Sequence, residues 1–187
     1  MSDAQVAGQQ LRGESSIVFG PVLVGELEVH VCRCPRLMQR ELCHVFPHLA
    51  GDANSISCIP TCQHTGVDLV KVGDKVDTEK DRCLEIFDDF GRALCAALAS
   101  TGYWADYIDP CSGLPMLTPD TNKVYSEVDG VQLLLRYATM DAGACKILLH
   151  PKWGSSVYPA SAFTNAPPEE VAKAIAALHG TPAEDLL

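Results

Sequence analysis

Regular alternation of apolar and polar positions begins at Ile17; residues 1–16 are polar, rich in Gln, Ser and Gly, and present no periodic apolar face. This composition predicts a flexible N-terminal tail over 1–16 and a single folded domain over 17–187. Leu27, Val29 and Val31 alternate with Glu26, Glu28 and His30, the period of a strand with one buried face. Pro35 then suits the first position of a helix, where its missing N–H costs nothing. Leu37, Met38, Leu42 and Val45 gather on one side of that helix before Pro47 ends it. Residues 49–56 read as a loop, 56–61 as a second strand and 63–75 as a connection. Thr78 with Asp81 resembles a capping box, and Leu84, Phe87, Leu94 and Leu98 recur at helical spacing until Gly102. A long amphipathic helix is predicted over 78–101.

Beyond Gly102 the pattern shortens. Residues 103–108 and 114–117, separated by Asp109-Pro110-Cys111-Ser112-Gly113, predict a hairpin. Further extended runs are predicted at 123–127, 131–138, 145–150 and 157–163, which would put most of the sheet in this half. Pro167 and Pro168 open a last helix with Val171, Ile175 and Leu178 as its stripe and Gly180 as its stop. Early strand-helix steps, a largely antiparallel sheet and a closing helix make this an α+β fold with helices packed on the sheet.

The 187 residues suit one domain, and 47% hydrophobic with 20% charged residues is ordinary globular composition. A net charge of −10 disfavours nucleic-acid and anionic-membrane partners. No apolar run approaches the ~18 residues of a bilayer span. The first 16 residues carry one Arg and two acids and no apolar secretory core, unlike a presequence or signal peptide. With nine cysteines, an odd number, the chain reads as a cytoplasmic protein holding reduced thiols.

Phosphate-loop, dinucleotide, zinc-peptidase and nucleophile-elbow motifs are absent from the sequence. Sulfur, histidine and aromatic turns remain. Cys32, Cys34, Cys43 and His48 could supply a zinc-binding interaction module, although their spacing matches no known finger and reduced cysteines packed as small hydrophobes are the better reading. Cys58 and Cys62 have four-residue spacing with Pro60 between them, and Cys83 and Cys95 fall on the long helix; all four read as structural. Cys145 differs. It follows a turn of small residues, Gly143 and Ala144, and precedes Lys146, whose charge would favour the thiolate that attacks electrophiles and binds soft metals. Trp104 and Trp153 lie in aromatic turns, and His150 ends the run that Cys145 begins.

Three phrases carry a resemblance: GYWADYIDPCSGL (102–114), DAGACKILLHPKWGSSV (141–157) and AFTNAPPE (162–169). They are similar to segments of the CblD family of cobalamin-trafficking adaptors, in which tryptophans, glycine turns and a Cys-Lys pair recur in the same order. The likeness covers about 17–170. It implies a nitroreductase-like sandwich without catalytic activity. It also implies a CblC-like cobalamin chaperone as partner, with processed cobalamin directed to methionine synthase, or in the mitochondrion to methylmalonyl-CoA mutase. No cofactor would be bound by the chain alone. In that family a cysteine of a Cys-Cys-Lys turn can ligate the cobalt of chaperone-bound cobalamin. Ala144 stands at the first of those cysteines here, so the role falls on Cys145, with Gly143, Ala144, Lys146, Trp104 and Trp153 as site-shaping or partner-facing candidates. A flavin-dependent reductase is the enzymatic alternative that the implied fold raises.

Overall fold

The computed structural model describes residues 16–49, 56–119, 121–143 and 145–180. The predicted tail, save Ser16, and most of the predicted 49–56 loop lie outside them. Seven strands and four helices follow one another as β1 (Ile17–Val24), β2 (Leu27–Arg33), α1 (Arg36–Val45), β3 (Ser57–His64), α2 (Asp74–Ser100), β4 (Ala105–Tyr107), α3 (Glu127–Leu135), β5 (Ala138–Ala142), β6 (Cys145–Leu149), β7 (Val157–Thr164) and α4 (Pro168–His179). Five strands form one sheet in the order β1-β2-β3-β7-β4, and β5 and β6 form a separate two-stranded sheet. All the pairings among these strands are antiparallel.

Both faces of the main sheet are covered. On one side Leu27, Val29, Val31, Ile59 and Ala162 pack with Phe87 and Leu94 of α2 and Val171 and Ile175 of α4. On the other, Cys32, Cys58, Cys62 and Phe163 pack with Met38, Leu42 and Val45 of α1, Val131 and Leu134 of α3, and Leu148 of β6. Burying a leucine- or phenylalanine-sized side chain contributes about 1.5–3 kcal/mol, so these two layers supply most of the driving force for the fold.

Several sequence expectations shift for identifiable reasons. β2 is interior, so Glu28 and His30 are buried along with the apolar positions they alternate with, and the expected polar face does not exist. Leu37 points into solvent at 77% exposure, because the buried face of α1 is the narrower set Met38, Leu42 and Val45. The long helix starts four residues before 78: Val76 is buried and extends the stripe backwards, Gly73 occupies the cap, and the Thr78 hydroxyl donates to the Asp74 carbonyl inside the helix at 2.9 Å. Leu178, expected in the α4 stripe, is part-exposed, while Val171 and Ile175 are buried.

The largest correction concerns 123–138. No strand forms there before Ala138, and Glu127–Leu135 is helical. Val131, Leu134 and Leu135 follow helical spacing, but so short an apolar run does not separate helix from strand by pattern alone. Most of the main sheet therefore comes from the first half of the chain: β1, β2 and β3 supply three of its five strands. The 109–113 turn forms as expected, with the Asp109 amide on the Leu114 carbonyl at 2.9 Å, although the returning arm is only a bridge from Ile108 to Pro115.

Polar groups complete the frame where strands stop. β4 covers only the Ala162–Thr164 end of β7. Beyond it, Glu127 at the start of α3 accepts from the Ser161 amide at 3.1 Å and the Ser161 hydroxyl at 2.6 Å, substituting for a missing strand. Asp106, fully buried, accepts from the amides of Tyr107, Leu117 and Thr118 at 2.7–2.9 Å and ties down the segment after the turn.

Candidate functional site

Cys145 stands at the tip of the β5–β6 hairpin and is exposed. It pairs with Ala142, so two residues connect the strands; Gly143, the first of them, has φ +63°, the left-handed conformation that tight hairpins require. A Cβ placed on Gly143 would meet nothing within 4 Å, so the tip is open. Ala144 falls outside the described residues.

Residues directly opposite in an antiparallel pair share a face, and alternate residues share it along each strand. Ala138 with Leu149, Met140 with Ile147 and Ala142 with Cys145 therefore form one face of the hairpin. All six are apolar or sulfur-bearing and each is exposed or half-buried, Met140 at 46%. The opposite face carries Thr139, Asp141, Lys146 and Leu148, and it packs inward: Leu148 is buried. Lys146 Nζ donates to Asp129 of α3 at 2.6 Å and to Gln132 at 3.3 Å, and Gln132 Nε2 donates to the Thr139 hydroxyl at 3.1 Å.

That geometry changes the role expected of Lys146. Its ammonium serves Asp129, whose hydrogen bond raises the lysine pKa, while Cys145 projects from the other face. Lys146 thus fastens the hairpin to α3. Trp153 lies beside the hairpin base, half-buried and stacked on His150 with ring centroids 3.8 Å apart. Trp104 packs elsewhere, edge-on to Phe46 at 5.0 Å and His48 at 4.9 Å, beneath α1 and the end of β7. Of the two tryptophans, the structure gathers Trp153 alone around the hairpin base.

The remaining thiols occupy different surroundings. Cys32, Cys34, Cys58, Cys62, Cys83 and Cys95 are buried and Cys43 is half-buried. Desolvation pushes Cys32 and Cys95 up to about 12 and Cys83 to about 11, and it raises Cys58 and Cys62 as well. Protonated thiols of this kind are poor nucleophiles and poor metal ligands. The proposed zinc set is dispersed: Cys58, not Cys43 or His48, is the neighbour of Cys32 across the sheet, and its thiol lies 3.7 Å from the Met38 sulfur. The Cys43 thiol points to the Leu49 carbonyl at 4.0 Å, and the His48 ring packs on Trp104. Among the described residues, no group of three or more His, Cys, Asp or Glu side chains is placed to hold a metal ion. Cys111 is the second exposed cysteine; desolvation and then the Asp109 charge raise its pKa.

The tip thiol thus ends an apolar face whose residues are all exposed or half-buried. The family model described as "Methylmalonic aciduria and homocystinuria type D protein" matches residues 7–176. The chain belongs to this family. The proteins named "Cobalamin trafficking protein CblD" from Gallus gallus and Homo sapiens are similar to it, the first 35% identical over 144 residues and the second 34% identical over 143. These alignments cover 77% and 76% of this chain and 48% of each relative, so the chain spans about half the length of the curated CblD proteins it matches. A rat CblD protein is similar at 35% identity over 140 residues. The family match over 7–176 includes every segment that builds the hairpin and its supports.

Residue-level reading of the sequence missed Glu28, Glu127 and Asp106, the buried carboxylates that organise this region. Glu28 sits among alternating apolar residues, the ordinary signature of a solvent face, and nothing local distinguishes it. Asp106 carried a weak signal, since it stands inside an aromatic-rich turn where a buried carboxylate has many amides to serve.

Proposed function

We propose that this chain is a non-catalytic adaptor in cobalamin trafficking that docks onto a CblC-like chaperone and offers Cys145 Sγ as a ligand to the cobalt of the chaperone-held corrin, on the path to methionine synthase. The observation that carries the reading is the outer face of the β5–β6 hairpin: a continuous apolar strip ending in an exposed sulfur. An apolar face rimmed by polar residues suits a protein or corrin surface. A thiolate is the soft donor that a d-block ion favours. In such a ligation Cys145 Sγ would replace a water on the cobalt and give its proton to solvent, with no change in oxidation state. The sheet covered by helices on both faces would be the nitroreductase-like sandwich, used here to hold a presenting arm.

The test is a spectral titration of chaperone loaded with aquocobalamin. The wild-type chain is expected to shift the corrin absorption bands at stoichiometric addition. Cys145→Ser should leave them unchanged while folding normally, and Cys111→Ser should behave as wild type. A wild-type chain that binds loaded chaperone without altering the spectrum would refute the ligand role. The cytoplasmic setting belongs to the same proposal. No helix among the described residues is long and apolar enough to cross a membrane.

A further inference from the structure

We infer that Glu28 is the positioning residue for Cys145, because its carboxylate joins both arms of the β5–β6 hairpin at their base. Glu28 lies on interior strand β2 and is 4% exposed. Its Oε1 accepts from the Tyr137 hydroxyl at 3.3 Å, immediately before β5, and from His150 Nε2 at 3.0 Å, immediately after β6. One oxygen atom thus receives a donor from each end of the arm. This inference rests on the proposed cobalt role of Cys145 but makes a claim about the arm itself.

The donors are held in place. The Lys152 amide donates to His150 Nδ1 at 3.2 Å, which leaves that nitrogen as acceptor and puts the ring proton on Nε2, facing Glu28. Trp153 stacks on the same ring, and Tyr137 packs edge-on against both His150 and His30. Two further polar fastenings among the described residues, Lys146 to Asp129 and Gln132 to Thr139, are partly or fully open to solvent and correspondingly weak. The hairpin belongs to no other sheet, so no ladder of backbone hydrogen bonds fixes its angle.

Leverage makes the base decisive. From Tyr137 and His150 to Ala142 and Cys145 the arm runs five residues, about 16 Å at strand spacing, so a tilt of ~10° at the base moves the tip thiol by about 3 Å. A displacement of that size is larger than the tolerance of any directed bond, and misplacement of about 1 Å is already enough to cost activity in positioned sites.

The experiment compares Glu28→Gln, Glu28→Val and Tyr137→Phe in the full chain by residue-resolved amide hydrogen exchange and by titration against aquocobalamin-loaded chaperone. Glu28→Val removes the acceptor for one buried and one half-buried donor and should speed exchange of amides in 138–149 by about tenfold or more, with those of 157–164 within about twofold of wild type. Its spectral titration should need about tenfold more protein and reach the same final spectrum, since the ligand atom is unchanged. Tyr137→Phe should show the same pattern more weakly. Glu28→Gln, which keeps an acceptor oxygen, should restore hairpin protection. Uniform acceleration across hairpin and sheet, or an unaltered hairpin, would overturn the inference. If Glu28→Val fails to fold, Tyr137→Phe and Glu28→Gln provide the same comparison. Exchange decides the clamp whether or not the wild type shifts the corrin bands; loss of that shift alone removes only the cobalt role.

Discussion

At Gly91 the long helix α2 comes so close to the sheet edge that a Cβ there would stand 2.7 Å from two ring atoms of Tyr107. The ring has little freedom to move aside, since its hydroxyl donates to Asp88 at 2.6 Å and Asp88 is in turn held by Arg92 at 2.8 Å. Gly91→Ala is therefore expected to destabilise the domain by about 1–3 kcal/mol through overpacking, measured as a lower denaturation midpoint with an unchanged slope. Thiol exposure gives a second outcome at the same scale. Under native conditions a maleimide followed by peptide mass spectrometry should label Cys145 and Cys111 first, and the six buried cysteines only at the rate of opening. Early labelling of Cys58 or Cys62 would contradict the packing described. The exposed turn position of Cys145 was legible in the sequence because small residues flank it and a turn precedes it. Its electrostatics were not: adjacency to Lys146 suggested help, and strand alternation sends the two side chains to opposite faces.

The elements that position the site were legible to unequal degrees. β2, β3, α1, α2, β6, β7 and α4 follow period-two or helical patterns strong enough to find, with ends displaced by a few residues. α3 escaped because its apolar residues form a short run between irregular segments, and tertiary packing against β6 and β7 decides its form. The hairpin was half-visible: β6 was expected, but its pairing with β5 and its separation from the main sheet depend on contacts far along the chain. β3 offers a related case. Pro60 sits in an interior strand, and the β2–β3 ladder keeps one register on both sides yet is interrupted at residues 30–31, opposite Ile59 and Pro60. A proline has no amide hydrogen to give that ladder. At this scale Gly143→Val is expected to strain the hairpin turn by about 1 kcal/mol or more, since φ +63° disfavours a β-branched residue. The check is hairpin-confined amide exchange, and equal exchange in variant and wild type would argue against the turn geometry.

For the whole molecule, the carboxyl of Glu127 links pH to folding. Burial raises its pKa from 4.5 to about 8, against the opposing effect of the Ser161 hydroxyl and amide. The folded chain therefore keeps a proton that the unfolded chain releases. The group costs nothing below pH 4.5, and its contribution to stability falls progressively as pH rises from there to about 8, with a slope of up to about 1.4 kcal/mol per pH unit. Denaturation midpoints should thus decline across that window in wild type and decline less in Glu127→Gln; parallel curves would discount the buried acid. The prediction concerns global stability because Glu127 joins α3 to the centre of β7, and α3 is the platform under the hairpin. The two-sided burial of β2 was the whole-molecule feature hardest to foresee, as an interior strand with Glu28 and His30 reads locally like an edge strand facing water.

Because β5 and β6 hydrogen-bond to each other and not to the five-stranded sheet, lengthening the loop after Gly143 would shift no strand register elsewhere. The hairpin is modular in the mechanical sense. Mutation can retune the length, chemistry and stiffness of this arm while leaving the chassis untouched, which is a plain physical route by which relatives with different tip residues could share one body.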